Sequence, residues 1–138
     1  MTKDEGIIDL VCEIKKKCIE NDSRFIADIN ISDSEYNFIK ALINCKSFNS
    51  KSIAKKMNIS LSRVSRIIDK MVKGGYVTRT NSEEDRRTIN ISLTSEGKRL
   101  VEEVVQFRLS CEKKITTSLT DMECNMVKTI LNKIIDSL

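Results

Sequence analysis

The chain has 138 residues, 24 Lys and Arg against 20 Asp and Glu, and 40% hydrophobic residues, a balance that argues against both a disordered tail and a membrane-embedded bundle. A chain of this length buries roughly two thirds of its unfolded surface, so a single domain over 1–138 needs neither a metal nor a disulfide staple. Without His the commonest general base and metal ligand are missing, and the four glycines do not form a phosphate-cradling loop; we expect no enzyme, no metal and no cofactor.

The first residues, Met1–Thr2–Lys3–Asp4–Glu5, are charged and carry no signal-peptide core. Apolar runs such as Ala41–Leu42–Ile43 fall far short of the ~20 residues of a membrane helix. A cytoplasmic protein without a membrane partner is the expectation.

Ile7, Val11, Ile14 and Cys18, with Ile8 and Leu10 beside them, recur at helical spacing. Asn21–Asp22–Ser23 reads as a linker, followed by a short turn with Phe25, Ile26 and Ile29. Ser32–Asp33–Ser34–Glu35 has the form of a capping box. It opens a helix to about Asn44 with Tyr36, Ile39 and Ile43 inward and Leu42 beside them.

Asn49–Ser50 then caps a short helix to Met57, with Ile53, Ala54 and Met57 inward and Lys51, Lys55 and Lys56 outward. Asn58–Ile59–Ser60 makes a turn, and Ser60 caps the next helix. That helix, Leu61 to Lys73, buries Val64, Ile67, Ile68 and Met71 and ends at Gly74–Gly75. Two short helices joined by a tight turn, the second basic, follow the helix-turn-helix plan. Beyond Gly75 the period becomes alternating, and 76–80 and 88–93 read as paired strands joined by the charged stretch Asn81–Arg87. A helix-turn-helix followed by such a hairpin is a winged helix.

Thr94–Ser95–Glu96 caps a long helix carrying Leu100, Val104, Phe107, Cys111 and Ile115. A second box, Thr120–Asp121–Met122–Glu123, opens the last helix, with Met126, Ile130, Ile134 and Leu138 on one face and Val127 and Leu131 beside it. The fold class is therefore mainly α with a small β-hairpin wing (α+β). Residues 46–99 form the winged-helix segment, and 1–30 and 100–138 are helical segments with more apolar residues than one small domain needs. A dimerisation layer is the economical reading of that excess; a helical cap folded within one chain is the alternative.

Charge follows the same division. Residues 46–99 hold 13 basic and five acidic residues, a net +8, while the remainder carries −4. A basic middle between acidic ends is the footprint of a polyanion partner, the alternative being a solvated surface.

Five cysteines, an odd number without a C-x-x-C pair, form no disulfide framework. Cys12, Cys18 and Cys111 lie on or beside apolar stripes, where a free Cys acts as a small hydrophobe. A redox-sensing thiol at Cys12 or Cys18 is the sharper alternative.

Residues 48–99 resemble the MarR family of winged-helix transcriptional regulators. The resemblance is carried by Ile53–Ala54–Lys55–Lys56–Met57, by Ser60–Leu61–Ser62–Arg63–Val64–Ser65–Arg66, by Gly75–Tyr76–Val77, by Asp85–Arg86–Arg87 and by Leu93–Thr94–Ser95–Glu96–Gly97. It implies a homodimer, built through the terminal helices, on a pseudo-palindromic double-stranded DNA operator. It also implies a regulator, most simply a repressor, released or modulated by a small anionic or aromatic effector. Lys15, Lys16, Lys17, Arg24 and Tyr36 are the loose candidates for holding such an effector. The alternatives are a cysteine-based redox regulator and a winged-helix module that binds protein. A Cys nucleophile would need a neighbouring base, and no His is present to serve.

Within that resemblance the start of the second helix reaches base edges, which makes Ser62, Arg63, Ser65 and Arg66 the readout candidates. Lys51, Lys55, Lys70 and Arg79 are placed for phosphates. In the wing, Arg87 matches the family's minor-groove arginine, Asp85 the acid that orients it, and Arg86 the variable position between them.

Overall fold

The structure, a computed structural model, describes residues 4–45 and 47–138. Lys46, one of the basic residues counted in the middle segment, lies outside the described residues, as do Met1–Lys3. Six helices and one hairpin follow in the order α1 (Ile7–Ile29), α2 (Asp33–Ile43), α3 (Ser50–Met57), α4 (Leu61–Lys73), β1 (Val77–Asn81), β2 (Ile89–Leu93), α5 (Ser95–Thr117) and α6 (Asp121–Ser137). Two compact units divide inside α5, one closing at Val101 and the other comprising Glu102–Leu138. Among the described residues no helix is long and apolar enough to cross a membrane.

The expected linker at Asn21–Asp22–Ser23 does not break the first helix: α1 runs through it without interruption. None of the three is Gly or Pro, and each costs a helix interior only about 0.7 kcal/mol or less. Asp22 offsets part of that cost, because its carboxylate accepts from the Tyr36 hydroxyl at 3.1 Å and faces Lys40 Nζ at 3.9 Å. The helix ends at Asn30, whose positive φ of 57° lets the Ile31 amide turn back to the Ile26 carbonyl, the role an αL residue plays after a helix.

In α2 only half of the expected box forms. Ser32 Oγ accepts from the Glu35 amide at 3.2 Å and also meets Ser34 Oγ at 3.1 Å. No return bond from the Ser32 amide to Glu35 is present among the described residues. Ile43, expected inward, is exposed at the helix end. Phe38 instead supplies a fully buried ring.

The core of the first unit joins Phe38, Ile39 and Leu42 of α2 to Ile53 of α3, and these to Val64, Ile68 and Met71 of α4. Val77 of β1 and Ile91 of β2 close it from the hairpin. Each fully buried aliphatic side chain contributes about 1.5–3 kcal/mol over an exposed one. All four inward positions of α4 are buried as their spacing predicts, whereas Met57 of α3 is only half-buried.

The hairpin is antiparallel, with Val77 opposite Leu93 and Asn81 opposite Ile89. Both strands start one residue later than the alternation suggests. The Tyr76 amide is used by the Met71 carbonyl to close α4, with Gly75 at φ 78° between them. The Thr88 amide is used by the Asp85 carbonyl inside the wing turn. Gly97 has a separate reason to be glycine: a Cβ there would lie 1.9 Å from the Tyr76 carbonyl oxygen. Thr94 completes that junction, its hydroxyl donating to the Gly75 carbonyl at 2.6 Å and accepting from the Gly97 amide at 3.1 Å. The first turn of α5 is thereby seated on the start of β1.

Described by itself, the second unit has a different character. The Thr120–Glu123 capping box forms in both directions, yet α6 has no buried residue. Met122, Met126, Ile130 and Ile135 are each at least half exposed.

Candidate nucleic-acid interface

The interface is built on the rigidity of α4. Ser60 Oγ accepts from the Arg63 amide at 3.2 Å and starts the helix, while Asn58, at φ 54°, turns the chain out of α3. With Val64, Ile67, Ile68 and Met71 committed to the core, Ser62, Arg63, Arg66 and Lys70 are left exposed and Ser65 half-buried. Arg63, Arg66 and Lys70 have no ion pair among the described residues. A helix that presents unpaired guanidinium groups from its first turns suits bidentate contact with guanine edges.

Two cations assigned to phosphates are already engaged. Arg79 of β1 pairs with Asp69 of α4, and Lys51 of α3 meets Asp85 Oδ2 at 3.0 Å. Lys55, by contrast, is exposed near the end of α3 without a partner among the described residues.

The wing is an ordered turn built around Asp85. Its amide donates to Ser82 Oγ at 3.3 Å, its Oδ1 accepts from the Arg87 amide at 3.0 Å, and its Oδ2 accepts from the Thr88 hydroxyl at 3.2 Å. Asp85, expected to orient Arg87, thus contacts it through the backbone amide. The Lys51 ammonium, followed by the Arg87 amide, holds the Asp85 carboxyl below the usual aspartate range. Arg86 and Arg87 leave the turn exposed, beside exposed Glu83 and Glu84.

A further support was not legible beforehand. Ser50 is buried, and its hydroxyl accepts from the Ile89 amide at 2.9 Å. Asn49 bridges Asn90, and the Ile91 amide donates to the Phe48 carbonyl at 2.9 Å. Residues 48–50 therefore act as a short third edge on β2 and fix the wing against α3. The available signal was redundancy: Asn49 alone caps α3 by accepting from the Ser52 amide, which leaves Ser50 free for another task.

The thiol and effector candidates fall elsewhere. Cys12 and Cys18 are exposed and Cys111 is half-buried, so none is the buried hydrophobe expected; Ile7 and Ile14 of the stripe on or beside which the first two lie are exposed as well. Tyr36 is buried with its hydroxyl committed to Asp22, its ring 4.6 Å from Lys40 Nζ and edge-on to Phe25. Lys17 faces Glu13 at 3.8 Å. Lys15, Lys16 and Arg24 are exposed, and no geometry brings this set together.

The sequence pattern of the MarR family matches residues 31–89, from the start of α2 to the first residue of β2. The HTH-type transcriptional regulator PapX of Escherichia coli is 30% identical over 132 residues, 94% of this chain and 80% of PapX. The chain belongs to the MarR family. It is a winged-helix regulator: α3 and α4 form its helix-turn-helix, and β1 and β2 with the 82–88 turn form its wing. Another relative, the HTH-type transcriptional repressor YetL of Bacillus subtilis, is 24% identical over 98% of this chain and 84% of its own length. Among solved structures, the Staphylococcus aureus MepR–DNA complex superposes with a TM-score of 0.82 at 20% identity, covering 98% of this chain and all of MepR. This MarR-family chain therefore shares the fold over essentially its whole length, including the terminal helices where the family pattern does not reach.

Proposed function

We propose that this regulator binds duplex DNA as a homodimer at a pseudo-palindromic operator, represses by occupying it, and is modulated by a small-molecule effector. The observation that carries the reading is the outer face of α4. Arg63 and Arg66 are exposed there, with no ion pair among the described residues, on a helix whose inner face is fully packed. Ser62, Arg63, Ser65 and Arg66 are the proposed base readers, and Lys55 and Lys70 the proposed phosphate contacts. Arg87 is the proposed minor-groove contact, where a narrow groove's negative potential favours a guanidinium.

The dimer reading has its own support. Ile7, Ile8, Leu10 and Ile14 on α1 are exposed, as are Met122, Met126 and Ile130 on α6. Apolar faces of this kind mark surfaces that a partner covers. Two-fold symmetry would set two copies of α4 into successive major grooves.

The test is selection of bound sequences from a random duplex pool at fixed salt. The expected result is one enriched inverted repeat with half-site centres about one helical turn apart. Enrichment of a site without dyad symmetry contradicts the dimer, and no enrichment at all contradicts sequence-specific DNA binding.

A further inference from the structure

Lys51 stands at an unfavourable place for a free cation. It lies in the first turn of α3, which contains no acidic residue, where the exposed amides of a helix start repel positive charge and attract negative charge. Lys55 and Lys56 occupy the last turn of the same helix, where a cation is favoured. What relieves Lys51 is the wing: its ammonium is 3.0 Å from Asp85 Oδ2, which also brings a carboxylate toward that helix start. The same carboxylate accepts from the Arg87 amide and the Thr88 hydroxyl. One unbroken chain of contacts thus runs from α3 through Asp85 to the backbone of Arg87.

We propose that Lys51 is a positioning residue for the wing rather than a phosphate contact: it clamps Asp85, and through Asp85 it fixes where Arg87 leaves the turn. This rests on the DNA-binding reading above and names the residue that aims the wing of that same site. Its cation is spent on an internal carboxylate, so it releases no counterion from DNA. A clamp and a phosphate contact therefore differ in salt dependence even where both lower affinity.

The experiment uses the full-length chain, its Lys51→Met and Lys51→Arg variants, and a duplex selected by the wild type from a random pool. Affinities are measured across a salt series, and the Asp85 carboxyl is titrated by carbon-detected NMR in the DNA-free protein. Lys51→Met is expected to weaken binding by up to about fivefold, the range of an exposed ion pair, with the slope of log affinity against log salt unchanged. Lys51→Arg, which retains the pair, should bind like the wild type. The Asp85 titration should move up toward the ordinary range in Lys51→Met alone. A slope shallower by about 0.9 in Lys51→Met identifies a lost phosphate contact and overturns the proposal. An Asp85 titration identical in all three proteins overturns it as well. A wild type that enriches no duplex overturns the DNA reading, while the titration still decides separately whether Lys51 holds Asp85.

Discussion

Residues 48–99 and the terminal helices use apolar side chains in opposite ways. In the former, nearly every aliphatic residue with helical or alternating spacing is buried, and the polar residues left over are organised by hydrogen bonds that reach across elements. In α1 and α6 the spacing is just as regular, but Ile7, Ile14, Met126 and Ile130 remain at least half exposed. Together with α2 the first region completes a core and presents a finished surface. The terminal helices each leave a regular row of apolar side chains exposed. Regular periodicity therefore identifies a helix face without saying whether the same chain will cover it.

The largest effects should come from breaking that contrast. Ile68→Ala, in the packed centre of α4, should cost about 2–5 kcal/mol in urea unfolding. Ile130→Asp should leave the helical circular dichroism spectrum of dilute protein intact, abolish self-association, and lower affinity for the selected duplex by more than about tenfold, because one half-site alone binds weakly. If Ile130→Asp destabilises the chain in urea as much as Ile68→Ala is expected to, the two regions are not different in kind.

Base readers and anchors come next. Arg63→Ala and Arg66→Ala should each lose about 1–3 kcal/mol on the selected duplex and less on random DNA. Lys55→Ala should weaken both alike and reduce the salt slope by about 0.9. Competition against random duplex at fixed salt separates the two classes, and equal specificity losses in all three variants would mean that α4 does not read bases.

Ser50→Ala tests the buried support of the wing. It leaves the Ile89 amide without its acceptor, which should cost about 1–3 kcal/mol of stability; an unchanged urea midpoint would show that water takes over.

Charge changes within the wing should be smaller and opposite in sign. Glu83→Ala and Glu84→Ala remove negative charge from an exposed turn and should bind DNA equally or slightly better. Asp85→Ala removes the same charge yet should bind worse, because three donors lose their common acceptor and Arg87 must be ordered on binding. Tighter binding by Asp85→Ala would reduce the wing to a charged loop.

The smallest effect is with pH. Because the Asp85 carboxyl is held below its ordinary value by Lys51 and the Arg87 amide, its contribution is fully present above about pH 4. It is lost only as pH falls through the lowered value. From pH 5 to 8 the Arg87 amide resonance should show no titration step from Asp85. A step in that window would mean that the carboxyl is not held this way.

Much of the proposed DNA-facing region was legible because its signals are local: Ser60 as cap, the four-residue apolar stripe of α4, Gly75 at the helix end. The L-T-x-x-G run proved equally physical, since Gly97 is dictated by the Tyr76 carbonyl. What the sequence hid depends on residues distant along the chain. Asp22 reaches Tyr36, so α1 continues where cap-forming residues suggested a break. Ser50 reaches Ile89, and Lys51, expected at a phosphate, reaches Asp85. Such pairings have no period, and composition cannot report them. The cysteines on α1 failed for a related reason: a helical stripe was read as buried, and its residues Ile7, Ile14 and Cys18 are exposed.

The claim that the terminal helices form an unfinished surface is tested most directly by sedimentation equilibrium of the wild-type protein at micromolar concentration without DNA. A mass of two 15.7 kDa chains is expected, shifting toward one chain only on strong dilution. A mass of one chain throughout that range would contradict it and leave the exposed faces of α1 and α6 without a role in assembly.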